Sequence, residues 1–433
     1  MCFYEITFRF FRSSHDYLLY ILCLFVAMPD TILLLMKIAL VHDYLIEAGG
    51  AERVLRVLSE MYPEAPIYTA FVRRESRAGK MFSDRRVIES RWGKLLKIGK
   101  MYSYLRFLQP AVWKSLNLTE YDLVITSCSG YIARGFWVGK KTRVVAYCHT
   151  PPKWLYGYET PTRARGKWWG KIYLWVWGPF VRYFDYTAAQ RVDTWMANSQ
   201  EVARRIKKFY GKNSIVVYPP IELSKSSNSV SQYRSEEKRE NWKTGKLNNS
   251  YYLVVGRLVG AKGVEMAVEA CKKMGCKLVV VGEGATPQAA HVGGQVEYTG
   301  WVSDEKLAEL YAGARGYLAL AVDEDFGMTV VESILSGTPV VALASGGYKE
   351  TVIDPAYQHI SVSVNQKKQK VQTGILVKDF TVSGVVRGMK ELEKKKWDRE
   401  KMQKLSKKYG RARFEKEVSK LCSPGNTQKM PLD

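Results

Sequence analysis

Short, unbroken apolar runs alternate along this chain with amphipathic stretches of helical period, a pattern that predicts parallel sheets flanked by helices. In one half, residues 37–41, 122–127, 143–147 and 194–198 read as buried strands, and 214–218 leads to Pro219-Pro220. In the other, 252–255, 278–281, 316–322, 338–343 and 374–377 read the same way. Helical faces lie between them. Val54, Leu55, Leu58 and Met61 form one, and Val264, Ala267, Val268 and Cys271 another. Ser199 and Ser303 stand where N-cap hydroxyls are wanted, ahead of helices reaching about Tyr210 and Ala312. Residues 381–421 read as helical and rich in lysine.

The pattern fails in two places. Residues 223–250 are polar, Ser/Asn/Lys-rich and without apolar period, as expected of a linker between domains. Residues 17–28 form an apolar run behind Arg9 and Arg12, cut by Pro29. The run is shorter than the roughly 20 residues a spanning helix needs, and no small-residue cleavage site follows it. Residues 1–35 are therefore expected to lie outside the fold, with Met36 as a natural start; a membrane-adhering anchor is the alternative. The expected division is 36–222 as the first domain, 251–405 as the second, 406–421 as a helix crossing back, and 422–433 as a frayed tail.

Composition adds charge to this picture. Across 433 residues the net charge is +24, which implies an anionic partner such as nucleic acid, a membrane surface or a phosphorylated ligand. Residues 91–118 carry Arg91, Lys94, Lys97, Lys100, Arg106 and Lys114, no acid, and many aromatic residues. Arg91, Lys94 and Lys97 would share a helical face beside Trp92, Leu95 and Leu96, the pattern of a helix lying on an anionic bilayer. Residues 163–184 are similar, with Trp168, Trp169, Trp175 and Trp177. Solvated cations over a buried aromatic core would give the same composition. Seven cysteines make no disulfide framework, and Cys271 and Cys276 lack a second pair to complete a zinc site.

The chemistry-bearing residues sit at strand ends. A strand runs through His42 into Gly49-Gly50 and a helix, an arrangement that brings backbone N–H groups near a phosphate or simply makes a tight turn. His149 follows another strand, where open α/β sheets place ligands; a structural role is equally compatible. Arg257 and Lys262 flank a strand–loop–helix mouth that does not match a P-loop. Together they offer a planar fork and a point charge to a diphosphate. Glu324 lies in the acidic turn 323–325, and Glu332 eight positions on, about 12 Å away if the intervening chain is helical. Carboxylates that far apart cannot share a proton, but they can hold hydroxyls at two ends of a long polar ligand.

These stretches carry a specific resemblance. GRLVGAKG (256–263), VVVGEG (279–284), YTGWVSDEKLAELYAGA (298–314) and EDFGMTVVESILSGTPVVA (324–342) resemble the nucleotide-sugar half of retaining glycosyltransferases of family 4, which have the GT-B fold. Glu324, seven residues, then Glu332 is that family's signature. MKIALVHDYLIEAGGAERVL (36–55) and AYCHTPPKWLYGY (146–158) are similar to the acceptor half of its bacterial mannosyltransferase-like members. The resemblance spans about residues 36–421 and implies an α/β fold of two Rossmann-like domains facing each other across a cleft. It implies that Glu324 holds donor-sugar hydroxyls, Glu332 the ribose, and Arg257 with Lys262 the diphosphate. Gly49, Gly50, Gly327 and Met328 would complete the donor site, and His149 would orient the sugar from the other domain. No cofactor is implied beyond the nucleoside-diphosphate sugar itself, with GDP-mannose as a candidate. The acceptor would be lipid-linked or an oligosaccharide, at an anionic membrane surface on the cytoplasmic face.

Asp323-Glu324-Asp325 imitates an Asp-x-Asp metal motif, but its place before a Glu-bearing helix makes Glu324 the ligand, with no metal expected. Two other readings stand beside the transferase. A basic nucleic-acid- or membrane-binding scaffold explains the charge but not the Arg257, Lys262, Glu324 and Glu332 set. An epimerase of the same fold is disfavoured by that complete set. No nucleic acid is expected as a partner.

Overall fold

The computed structural model describes residues 36–99, 101–158, 168–222, 251–258, 262–284, 295–357 and 371–423. The N-terminal extension and the linker fall outside these residues. Two parallel sheets dominate. The first runs β1 (Ile38–His42), β2 (Ile67–Thr69), β3 (Val87–Glu89), β4 (Leu123–Cys128), β5 (Arg143–Cys148), β6 (Thr194–Ala197) and β7 (Ile215–Val216), in the spatial order β3-β2-β1-β4-β5-β6-β7. The second comprises β8 (Tyr251–Val255), β9 (Lys277–Val281), β10 (Val296–Gly300), β11 (Gly316–Ala319), β12 (Val340–Leu343) and β13 (Gly374–Val377), ordered β10-β9-β8-β11-β12-β13. Each sheet therefore reverses its strand order once, between β1 and β4 and between β8 and β11. In open α/β sheets the crevice for a ligand opens at such a reversal.

Eight described helices have eight or more residues: α1 (Gly50–Met61), α2 (Trp168–Gln190), α3 (Gln200–Tyr210), α4 (Val264–Met274), α5 (Asp304–Gly313), α6 (Met328–Leu335), α7 (Val382–Lys394) and α8 (Arg411–Cys422). Their starts follow local chemistry. Ser199 accepts from Val202 N, Ser303 from Lys306 N and Thr381 from Gly384 N, each satisfying a helix donor that has no partner within the helix. α1 buries Val54, Leu55, Val57 and Leu58, at roughly 1.5–3 kcal/mol for each large side chain removed from water. Each half has its own core. α8 lends Phe414, Val418 and Leu421 to that of the first half, beside Ile38, Leu40 and Ile125.

Three expectations are corrected. Residues 91–97 do not form one amphipathic helix. Only Gly93–Leu96 is helical there, and Lys97 turns back to Glu89 at 2.9 Å. Glycines at 93 and 99 and an acidic partner in the preceding strand outweigh the stripe. Trp113 from the same stretch is fully buried and donates to Tyr131 O. Residues 381–421 break into α7, two single turns (Arg399–Gln403 and Ser406–Tyr409) and α8, with Gly410 starting the last. The strand expected at 316–322 ends at Ala319, because Asp323 takes a left-handed φ of 57° to form the acidic turn. Cys271 is buried in the core, as its helical face required.

Candidate active site

Both strand reversals open on the same interdomain space, and charged side chains bridge it. From the first half, Glu47 reaches Arg257 at 2.6 Å, and Arg53 on α1 reaches Glu332 at 2.8 Å. Lys153 donates to Asp323 O at 2.5 Å and pairs with Asp325 at 3.0 Å. Arg205 on α3 also grips Asp325, at 2.5 Å, and Arg77 pairs with Glu283. Met328 Sδ lies against Gly50, so close that a Cβ on Gly50 would stand 2.5 Å from it.

The acidic turn is held from behind. Gly347 N donates to Glu324 O at 2.7 Å, and Asp323 N to Ser345 Oγ at 3.2 Å. Gly346, at φ 52°, leaves room where a Cβ would meet Glu324 O at 2.1 Å. The Glu324 side chain is thereby aimed at Lys262 Nζ, 2.6 Å away. Burial works against its charge, but Lys262, Lys153 and Arg257 outweigh burial and hold the carboxyl below the usual carboxylate range. Lys262 and Arg257 also line a small pocket between β8 and β11, with Gly256, Tyr317, Thr329 and Tyr348. This is the strand reversal of the second sheet.

Glu332 is almost fully buried on α6, with Oε1 on Arg53 and Oε2 accepting from Tyr311 OH at 2.9 Å. A ribose hydroxyl at this carboxylate would share it with Arg53. Gly327, at φ 86°, precedes α6 and packs so closely that a Cβ there would stand 2.8 Å from the Tyr348 ring. His149 lies buried just beyond β5, with Nε2 2.8 Å from Ser127 Oγ. Burial, and then the neighbouring His42, depress its pKa to about 3, so the imidazole is neutral. Gly49 N donates to Glu52 Oε2 at 2.9 Å, which closes the turn before α1.

The structure thus brings Arg257, Lys262, Glu324, Gly327 and Met328 together at one rim and sets Gly50 opposite. Glu332 lies on the same helix as Met328. The sequence reading missed Glu47, Arg53, Lys153 and Arg205, which reach these groups from the other half. Arg53 and Arg205 were visible only as cations in otherwise amphipathic helices. Gly346 and Gly347, which back Glu324, lie in a tight turn some twenty residues further along the chain. Asp325 is engaged by Arg205 and Lys153. Among the described residues, no cluster of three or more His, Cys, Asp or Glu could hold a metal ion.

Comparisons with known proteins agree with this architecture. The profile of the family described as Glycosyl transferases group 1 matches residues 236–413, and that of Glycosyltransferase Family 4 matches 48–225. An uncharacterized glycosyltransferase of Methanocaldococcus jannaschii is 32% identical over 111 residues, covering 23% of this chain and 28% of that relative's length. An uncharacterized 41.2 kDa protein in the cps region of Klebsiella pneumoniae is 24% identical over 318 residues, covering 71% of this chain and 81% of its own. The Anabaena HepE crystal structure with UDP and glucose superposes with a TM-score of 0.57 at 16% identity, covering 89% of this chain and 98% of its own. With both family profiles in chain order and two parallel Rossmann-like sheets facing a shared cleft, the chain belongs to the group 1, family 4-like glycosyltransferases and has the GT-B fold.

Proposed function

We propose that this protein transfers a hexose from a nucleoside-diphosphate sugar to a lipid-linked or oligosaccharide acceptor, with retention of configuration and without a metal ion. The observation that carries the reading is the Lys262–Glu324 pair, 2.6 Å apart at the strand reversal of the second sheet, with Arg257 lining the same pocket. A diphosphate there meets two cations, while Glu324, kept ionised, accepts from sugar hydroxyls. As the glycosidic bond breaks, negative charge grows on the departing phosphate. Arg257 and Lys262 stabilise that charge, and pre-placed cations are the strongest contribution such a site makes. No side chain stands as a nucleophile in this reading; the departing phosphate takes the acceptor proton on the same face. Glu47 and Arg53 give up their present partners or share them when the donor enters.

GDP-mannose is the first donor to test, on the family likeness. The HepE structure holds UDP and glucose, which makes UDP-glucose the second. A thermal-shift screen of GDP-, UDP- and ADP-sugars separates them, since a ligand that binds the native state raises its apparent stability. A product whose anomeric configuration is inverted, or turnover abolished by EDTA and restored by manganese, would contradict the mechanism.

Membrane docking of the first half is part of the proposal. α2 turns an apolar face outward: Trp168, Ile172, Trp175, Val176, Phe180, Tyr183 and Tyr186 are all exposed, with Trp175 81% and Trp168 74% accessible. Lys171 and Arg182 lie exposed among them, while Asp185, the acid of this helix, is buried. Phe107 stacks on Trp177 at 4.4 Å and its N–H donates to Tyr173 OH, so the turn at 105–108 packs against α2. Aromatic residues beside cations suit the headgroup layer of an anionic bilayer. No helix among the described residues is long and apolar enough to cross a membrane.

A further inference from the structure

The central strands of the first sheet end in a row of buried polar side chains that the transfer chemistry above leaves unused. His42 closes β1, Ser127 lies next to last in β4, and His149 follows β5; the parallel register pairs His42 with Ser127. Glu52 Oε1 stands 3.5 Å from His42 Nε2, His42 Nδ1 is 3.1 Å from Ser127 Oγ, and Ser127 Oγ is 2.8 Å from His149 Nε2. His42 and Ser127 are fully enclosed, and His149 is 8% exposed. The other Glu52 oxygen accepts from Gly49 N, so the far end of the row is tied to the Gly49-Gly50 turn. No described residue hydrogen-bonds His149 Nδ1, which leaves that atom to a ligand or water. His149 also belongs to the loop that meets the acidic turn: Thr150 Oγ1 is 3.3 Å from Arg205, and Lys153 grips Asp323 and Asp325.

A chain of single hydrogen bonds has only two polarities. With His42 neutral, its Nε2–H faces Glu52, and the Ser127 hydroxyl donates to His42 Nδ1. His149 Nε2–H then donates to Ser127 Oγ, and His149 Nδ1 is a lone-pair acceptor. With His42 protonated, its Nδ1–H donates to Ser127 Oγ, and the Ser127 hydroxyl donates to His149 Nε2. The hydrogen of His149 is then on Nδ1. We infer that Glu52, His42 and Ser127 form a relay that sets the tautomer of His149, so that protonation of His42 turns His149 Nδ1 from acceptor to donor while His149 stays neutral.

The interconversion balances. A proton from water bonds to His149 Nδ1, the Nε2 proton passes to Ser127 Oγ, and the Ser127 proton passes to His42 Nδ1. The net positive charge rests on His42, against the Glu52 carboxylate. The charged groups facing His42 are Glu52 from α1 and Asp43 from its own strand end, with His149 across Ser127. Asp43 is already committed to Ser129, Tyr131 and Ala133 N–H groups. Burial disfavours the His42 cation, but Glu52 and Asp43 outweigh it and raise its pKa, whereas His149 is held neutral. The relay therefore places the charge where a partner exists.

Resting on the donor-site reading above, the relay deepens it. A neutral Nδ1–H gives the cleft a donor for sugar or phosphate oxygens without adding a cation beside Arg257 and Lys262. His42 and Ser127 are positioning residues that act through His149. The test is imidazole 15N NMR on histidine-labelled protein, titrated from about pH 5 to about pH 9. The expected result is that His149 Nδ1 changes from pyrrole-like to pyridine-like at the same pH at which His42 loses its charge. In Ser127→Ala, His42 should still titrate but His149 should no longer follow. With an active donor, kcat/KM of Ser127→Ala should fall about tenfold near neutral pH and lose the alkaline limb that wild type shows at the His42 midpoint. A His149 tautomer that stays fixed while His42 titrates, or one that follows His42 unchanged in Ser127→Ala, overturns the relay. If Ser127→Ala does not fold, the wild-type titration decides alone. Failure of every sugar nucleotide as a donor would overturn the transferase reading and leave the NMR result standing.

Discussion

The two halves of this molecule share a fold and build their sides of the cleft by opposite means. The second half presents its chemistry on contiguous strand–loop–helix segments, and its two cations there are partly exposed and singly paired: Lys262 with Glu324 of the same half, and Arg257 with Glu47 across the cleft. The first half encloses its polar groups in hydrogen-bonded networks drawn from far apart in the chain. Asp43 accepts from Ser129, Tyr131 and Ala133 N–H groups and the Ser129 hydroxyl, and this clamp holds Ile132 at φ 55°. Arg134, Asp185, Tyr156 and Tyr210 form another such network under α2. Ligand exchange suits the exposed pairs, because a diphosphate replaces one anion with another at little cost in desolvation. Enclosed networks suit precise placement, because a broken one leaves a buried group without a partner.

The largest effect that separates these two designs is on stability. Asp185→Ala leaves the Arg134 guanidinium enclosed without its carboxylate and is expected to cost about 3–5 kcal/mol in urea unfolding. Tyr210 and Cys128 also accept from Arg134, but the Asp185 carboxylate is the acidic side chain that pairs with it. A loss below about 1 kcal/mol would mean that the network is as dispensable as a surface pair.

Next comes the reverse behaviour in the second half. Lys262→Ala should leave unfolding almost unchanged, since Lys153 and Arg257 still oppose the burial of the Glu324 carboxylate, and yet lower kcat by roughly 10²–10³, as removing one pre-placed charge stabiliser does. Glu324→Ala should behave alike. Both variants turning over at near wild-type rates would remove the donor pocket from this rim.

The same contrast explains what the sequence could and could not say. Strand–Gly–helix runs such as 256–263 and 324–342 keep their chemistry within about twenty residues, so strand periodicity, glycines and charge identify the rim directly. Parallel strands and the Ser199 and Ser303 caps were readable for the same local reason. His42, Ser127 and His149 meet only because β1, β4 and β5 are neighbours in the sheet, and nothing in the order of residues specifies that pairing. Arg53 finds Glu332 across 279 positions. The misjudged stripe at 91–97 fails similarly: its helical face is real as a pattern, but the Lys97–Glu89 pair and Trp113 burial are tertiary. α2 shows the converse, an apolar face that stays outside because the core beneath it is already filled by Val181, Phe184, Ala188 and Ala189.

That outward face offers the third contrast, between a surface that binds a small anion and one that binds a bilayer. Trp168→Ala combined with Trp175→Ala should weaken partition onto vesicles of an anionic phospholipid about thirtyfold, or ~2 kcal/mol, with little change in unfolding or in turnover of a water-soluble acceptor. Unchanged partition would assign the basic charge to another partner.

The smallest effect probes Glu350, a second-half carboxylate used in the manner of the first half. It caps α3 across the cleft, accepting from Gln200 N at 3.0 Å and Glu201 N at 3.3 Å. Burial pushes its pKa up to about 7, against the pull of those N–H groups and of Lys408 and Arg204. A carboxyl with a raised folded-state pKa binds its proton more tightly folded than unfolded. The associated stability is fully present below about pH 4.5 and declines as pH rises through about 7. Glu350→Gln removes the titration while keeping a hydrogen-bond acceptor. The difference in unfolding free energy, wild type minus Glu350→Gln, should therefore fall by about 3 kcal/mol across that window and be flat on either side. A difference that instead rises with pH would show that the α3 N-terminus and its cationic neighbours hold Glu350 ionised. The carboxylate would then belong with the exposed pairs of the second half, and the line between the two designs would run along the cleft itself.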